Sequence, residues 1–93
     1  MIRSFRDRET EAVFARRGSR RLPPDPQRVA LRKPVMLDAA ETLADLRVPP
    51  ANRLEKLSGD REGQHSIRIN ERWRICFVWE EGDADDVEIV DDH

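Results

Sequence analysis

The sequence predicts an α+β domain: a small antiparallel sheet with two N-terminal helices packed on one of its faces. Three observations lead there. Helix-start signals and a helical apolar period occupy the first half of the chain. A period of two occupies the second half. The strand-like stretches are separated by turns too short to join anything but antiparallel neighbours. The chain has 93 residues, which suits one domain, residues 1–93, with one modest core.

Ile2 and Phe5 fit a short first strand. Asp7 then starts a helix expected over residues 7–17: it is a capping residue, Glu9 and Glu11 follow where the helix dipole favours acids, and Arg16, Arg17 and Gly18 supply the stop. A basic connector, 18–24, leads to Asp25-Pro26, a cap residue followed by proline at the first helical position. The second helix is expected over 26–40. Val29, Lys33, Met36 and Ala40 form its stripe, widened by Ala30 and Leu37. Pro34 interrupts it at a cost of about 3 kcal/mol unless the helix bends, so a kink near Ala30–Pro34, or two shorter helices, is expected. One more turn is expected over Glu41 to Leu46 before Pro49-Pro50 breaks it.

Ile67 and Ile69 then alternate with Ser66 and Arg68, and Asn70-Glu71 is a turn candidate. Trp73, Ile75, Phe77 and Trp79 alternate with Arg74, Cys76, Val78 and Glu80, the clearest strand in the chain. Gly82-Asp83 marks the next turn, and residues 87–90 give a last strand.

The net charge of −2 conceals an asymmetry. Residues 1–79 carry all seventeen Lys and Arg against eleven acids, a net +6, while the last fourteen residues carry eight acids and no Lys or Arg. Fifteen of the seventeen cations are Arg, whose planar donor fork suits phosphate. A basic body with an acidic tail fits a phosphate-rich partner, and equally a solvated surface of mixed charge. No apolar run approaches the roughly 20 residues that span a bilayer, and no signal peptide follows Met1–Arg6, so a cytoplasmic protein is expected. One cysteine, Cys76, excludes an internal disulfide and a Cys-rich zinc site. Two histidines and scattered acids make no recognisable metal site, no Gly-rich phosphate loop occurs, and no cofactor is expected.

The run Leu57-Ser58-Gly59-Asp60-Arg61-Glu62-Gly63, then Ser66-Ile67-Arg68-Ile69, then Trp73-Arg74-Ile75-Cys76-Phe77, resembles the signature of HigB-type toxins in the RelE/ParE superfamily. The opening Met1–Phe5 and the ending Val90-Asp91-Asp92-His93 are similar too, so the resemblance covers nearly the whole chain. It implies a RelE-like fold, cleavage of messenger RNA on the translating ribosome of a bacterium, and inhibition by a HigA-type helix-turn-helix antitoxin. It assigns the strand arginine to Arg74 and the acid and histidine of the ending to Asp91 and His93. Two positions depart: the family's lysine in the glycine turn is Ser58 here, and its tyrosine before the last histidine is Asp92. These departures favour an alternative, a catalytically weakened binding protein acting on a protein target, as ParE-like relatives act on gyrase.

RNA can be cut without a metal, because its 2′-hydroxyl can attack the adjacent phosphate. Arg74 is then the candidate stabiliser of the phosphorane, or else an exposed cross-strand charge. His93 is the candidate acid or base, with an ordinary pKa of about 6.5, or else a frayed terminus. Asp91 would orient His93 or raise its pKa, or be one more solvated acid. Lys56, Arg61, Arg68 and Arg72 are candidate phosphate binders, and His65 is a candidate RNA contact or a surface strand residue. Trp73 and Trp79 share their alternation with Ile75 and Phe77 and are expected in the core rather than stacked on bases. Cys76 is expected to pack as a small apolar side chain.

Overall fold

The computed structural model describes residues 1–15, 33 and 35–91. Four expectations fall outside these residues: the helix stop at Arg16–Gly18, the basic connector, the second helix start with its Pro34 kink, and the ending Asp92-His93. The described residues form a four-stranded antiparallel sheet in the order β1-β2-β3-β4, with short helical segments around it. The strands are β1 (Glu55–Lys56), β2 (His65–Arg68), β3 (Trp73–Glu80) and β4 (Asp83–Asp91).

Helix α1 (Arg8–Phe14) starts as its sequence dictates: the Asp7 carboxylate accepts from the Thr10 amide at 2.7 Å. It buries Thr10 and Val13 against the sheet. Of the second expected helix, Lys33 and residues 35–39 are described and are helical. Leu37 and Ala40 from its stripe are buried in the core. Lys33 bonds the carboxamide oxygen of Asn52, a fully buried side chain. Asn52 Nδ2 in turn donates to Leu46 O at 3.2 Å and Val48 O at 3.4 Å. This hub satisfies carbonyls that the irregular backbone of 46–52 would otherwise bury unpaired.

The extra turn expected at 41–46 is a 3-10 segment, Leu43–Arg47, held by a reciprocal cap between Thr42 and Asp45. As expected, the helical backbone breaks before Pro49-Pro50: the segment ends at Arg47, and Val48 and Pro49 are extended. A second 3-10 turn, Pro50–Asn52, begins at Pro50, because the first positions of a helix need no amide donor. β1 was not legible as a strand.

The β2–β3 reversal sits where Asn70-Glu71 predicts it. Asn70 Oδ1 accepts from the amides of Arg72 (2.8 Å) and Trp73 (2.9 Å), a side-chain mimic of a backbone turn. The β3–β4 hairpin turns on Glu81 and Gly82, one residue earlier than expected, both with positive φ (50° and 83°). That matches the two-residue turn whose twist suits antiparallel strands. β4 begins at Asp83, well before the expected 87, and carries a bulge opposite Cys76–Val78 where Asp86 adopts φ 51°.

Ile2 and Phe5 do join the sheet, through single parallel bridges to Ala84 and Val87. The edge of β4 is thereby covered. The amides of Ala84 and Val87 donate to Met1 O (2.9 Å) and Ser4 O (3.1 Å), and the bulged Asp86 amide to Ser4 Oγ (2.9 Å). Further along, where the N-terminal segment has become α1, the buried Ile89 amide donates to Thr10 Oγ1 at 3.0 Å. The opposite edge, β1, is two residues long, which limits edge-to-edge pairing.

One sheet face carries Ile67, Trp73, Ile75, Phe77, Ala84, Val87 and Ile89, packed with Val13, Leu37, Ala40 and Leu46. Trp73 belongs to this core, and Trp79 lies partly buried against it, edge-on to Phe77. Cys76 is buried as expected, but on the opposite face.

Candidate functional site

Strand register decides which side chains share a face, because residues directly opposite each other project the same way. Glu55 pairs Ser66, Ser66 pairs Cys76, and Cys76 pairs Glu88. Arg68 pairs Arg74, and Arg74 pairs Val90. These residues form the face turned away from the core. Ser66 and Cys76 are fully buried on it, so it has a closed floor with charged groups around it.

Arg74 stands on this floor with its side chain 17% exposed, and its Nη2 donates to Glu55 Oε2 at 3.1 Å, a carboxylate 49% exposed. Arg61 reaches in from the 3-10 turn Gly59–Arg61. Its Nη1 donates to Gln64 Oε1 at 3.1 Å and to Glu88 Oε1 at 3.0 Å. Arg68 Nε donates to Asn70 O at 2.8 Å. Three of the expected site residues, Arg61, Arg68 and Arg74, are therefore brought to one face.

The others are not. Lys56 pairs His65, and His65 pairs Phe77, which puts both side chains on the core side at the sheet's end. The His65 ring stacks on Phe77 with centroids 6.3 Å apart, and its Nδ1 is buried without a hydrogen-bond partner among the described residues. Burial, and then the Lys56 charge, push the His65 pKa below its ordinary value. Asp91 pairs Trp73 and so lies on the face opposite Arg74. Its carboxylate accepts from Arg72 Nε at 3.0 Å, and the Arg72 guanidinium lies 5.0 Å from the centre of the Trp73 ring. His93, like Asp92, lies outside the described residues. Ser58, at the lysine position of the family signature, starts the 3-10 turn without a side-chain cap.

Glu55 was missed by sequence reasoning. It sits in a two-residue strand nineteen positions from Arg74, and only the register through β2 brings the two together. A half-exposed carboxylate beside an arginine, over a closed floor, can accept a proton from a hydroxyl while the guanidinium holds an adjacent anion. Among the described residues, no three His, Cys, Asp or Glu side chains are grouped so as to hold a metal ion, and no helix is long and apolar enough to cross a membrane.

Residues 3–93 match the HigB-like toxin family, described as RelE-like toxins of the type II toxin–antitoxin system HigB. A Vibrio cholerae serotype O1 protein named Toxin HigB-1 is 41% identical over 85 residues, covering 90% of each chain. A Proteus vulgaris protein named Endoribonuclease HigB is 33% identical over 85 residues, again covering 90% of each chain.

Proposed function

The chain belongs to the HigB-like family of RelE-like toxins from type II toxin–antitoxin systems, and from that premise we propose that it is an endoribonuclease that cuts messenger RNA on the translating ribosome. Membership implies an antitoxin partner. In this reading the antitoxin is a HigA-type helix-turn-helix protein, the setting is the bacterial cytoplasm, and two helices complete the RelE-like layer over the apolar face.

The observation that carries the reading is the Arg74–Glu55 pair, 3.1 Å apart on an accessible face. The reaction needs no metal. Glu55 takes the proton of the ribose 2′-hydroxyl as that oxygen attacks the adjacent phosphorus. Arg74 stabilises the charge that builds on the phosphorane oxygens, an effect worth about 2.7–4 kcal/mol for one well-placed donor. The bond to the 5′-oxygen then breaks, leaving a cyclic phosphate, and that oxygen takes a proton from His93, the candidate acid or base, which here serves as the acid. Asp91, tied to Arg72, fixes the end of β4 two residues before that histidine. It is a positioning residue. Arg61 and Arg68 hold backbone phosphates on the Arg74 face, while Lys56, His65 and Arg72 contact RNA at the sheet's ends.

Mapping of messenger 5′ ends after induction tests the proposal. New ends should appear with the unaltered chain and vanish with Arg74→Ala, Glu55→Gln and His93→Ala. Growth arrest with intact messenger would overturn it and favour a protein target.

A further inference from the structure

The described arginines divide by partner. Arg3, Arg6, Arg61, Arg72 and Arg74 each have a carboxylate within 3.9 Å. Arg8, Arg47, Arg53 and Arg68 have none among the described residues. Two of those four, Arg53 and Arg68, line the same recess, a cavity of about 410 Å³ shared with Ala51, Ile69, Asn70 and Glu71. That volume lies within the roughly 300–1,000 Å³ of ordinary small-molecule sites.

The two cations reach it by different routes. Arg53 closes the turn Pro50–Asn52 in the left-handed region, φ 45° and ψ 57°, a conformation disfavoured for a residue with a β-carbon. Arg68 stands directly across from Arg74 in the register, so a residue of the recess is the cross-strand neighbour of the Arg74–Glu55 pair. Its Nε is committed to the Asn70 carbonyl, which orients the guanidinium plane and leaves its Nη donors to a ligand. Ile69, 7% exposed, supplies an apolar surface, and Glu71 gives the lining an end that repels phosphate. Cross-strand neighbours have Cβ atoms about 4.5–5.5 Å apart. A strand whose phosphate sits at Arg74 therefore meets Arg68 next, which, unlike Arg61 and Arg74, is paired with no carboxylate among the described residues.

We propose that this recess is a subsite for the ribonucleotide flanking the cleaved bond, its phosphate held by Arg53 and Arg68 and its apolar surface laid on Ile69 and Ala51. The proposal rests on the RNA-cleaving reading above and adds the residues that grip the substrate beyond the reacting phosphate.

The test uses the full chain and a fluorescein-labelled, fully 2′-O-methylated oligoribonucleotide, which cannot be cut, with anisotropy read between about 50 and 200 mM salt. Arg53→Asn, which tolerates the left-handed backbone, and Arg68→Gln should each weaken binding about tenfold at low salt, the loss of roughly one charge-assisted contact. Each should flatten the slope of log affinity against log salt by about 0.7, while Arg53→Lys retains both. Arg53→Gly gives the same reading should the asparagine variant fail to fold. Unchanged affinity and slope in a chain that binds and cuts RNA would overturn the subsite alone. Unchanged RNA binding with weakened antitoxin binding would also overturn it and assign the recess to an acidic antitoxin segment. A wild-type chain that neither binds nor cuts RNA would remove the functional reading and the subsite together.

Discussion

On β3, neighbouring positions live in different surroundings. Trp73, Ile75 and Phe77 are packed among aliphatic side chains with almost no exposure. Arg74, on the other face, sits over the buried Ser66 and Cys76 and reaches a carboxylate. The first face is held by volume, which many apolar residues could supply. The second depends on particular partners at particular register positions, so a small geometric change removes chemistry before it removes stability. Substitutions that separate the two kinds of loss test this contrast.

The largest stability effect is expected from Phe77→Ala, about 3–5 kcal/mol from lost burial and the cavity left behind. Urea denaturation should show it, and a shift under 1 kcal/mol would mean that the apolar face is not the main support. Arg74→Ala should lower the cleavage rate by roughly 10²–10³-fold. Its stability cost should stay under about 1 kcal/mol, because the partner Glu55 is half in solvent. A comparable fall in stability would erase the distinction between the faces. Thr10→Val keeps the shape of the side chain and orphans the buried Ile89 amide, for a cost of about 1–3 kcal/mol. Hydrogen exchange at Ile89 should accelerate while cleavage by the remaining folded protein is unchanged.

The smallest effect concerns His65. Its folded-state pKa lies below the unfolded value, so the unfolded chain takes up the proton first as pH falls. The resulting stability is complete above about pH 6.5 and is lost as pH drops from there through the depressed folded pKa. His65→Phe should remove that part of the acid sensitivity. Thermal melts at pH 7 and pH 5 would show it, and an identical pH dependence in both proteins would refute it.

The same contrast explains what could be read from the chain beforehand. The Trp73–Trp79 alternation announced its strand because burial selects side chains by size and polarity, and both signals are visible residue by residue. The start of β4 was hidden. Asp83, Asp85 and Asp86 look like a loop, yet Asp85 bonds Arg3 and Ser4 Oγ from the N-terminal segment, and the bulge at Asp86 breaks the period. The break at Pro49-Pro50 was legible, but the separate 3-10 turn that starts at Pro50 was not, because proline obstructs the interior of a helix yet suits its first turn. The family resemblance brought out Arg74, whereas Glu55 depends on a register spanning three strands, which no local pattern encodes. Lys56 and His65 illustrate the converse. They are near Arg68 in sequence and carry suitable chemistry, but side-chain alternation sends them to the other side.

Arg3 and Ser4 meet Asp85 across more than eighty positions of chain. Residues 2–5 are thus placed against residues 84–87. Until β4 exists, Met1 to Phe5 have no strand to lie beside, so the outer border of the sheet cannot form locally. Closing that border brings together positions more than eighty residues apart, a costly late step that sets a limit on how fast the sheet can be completed.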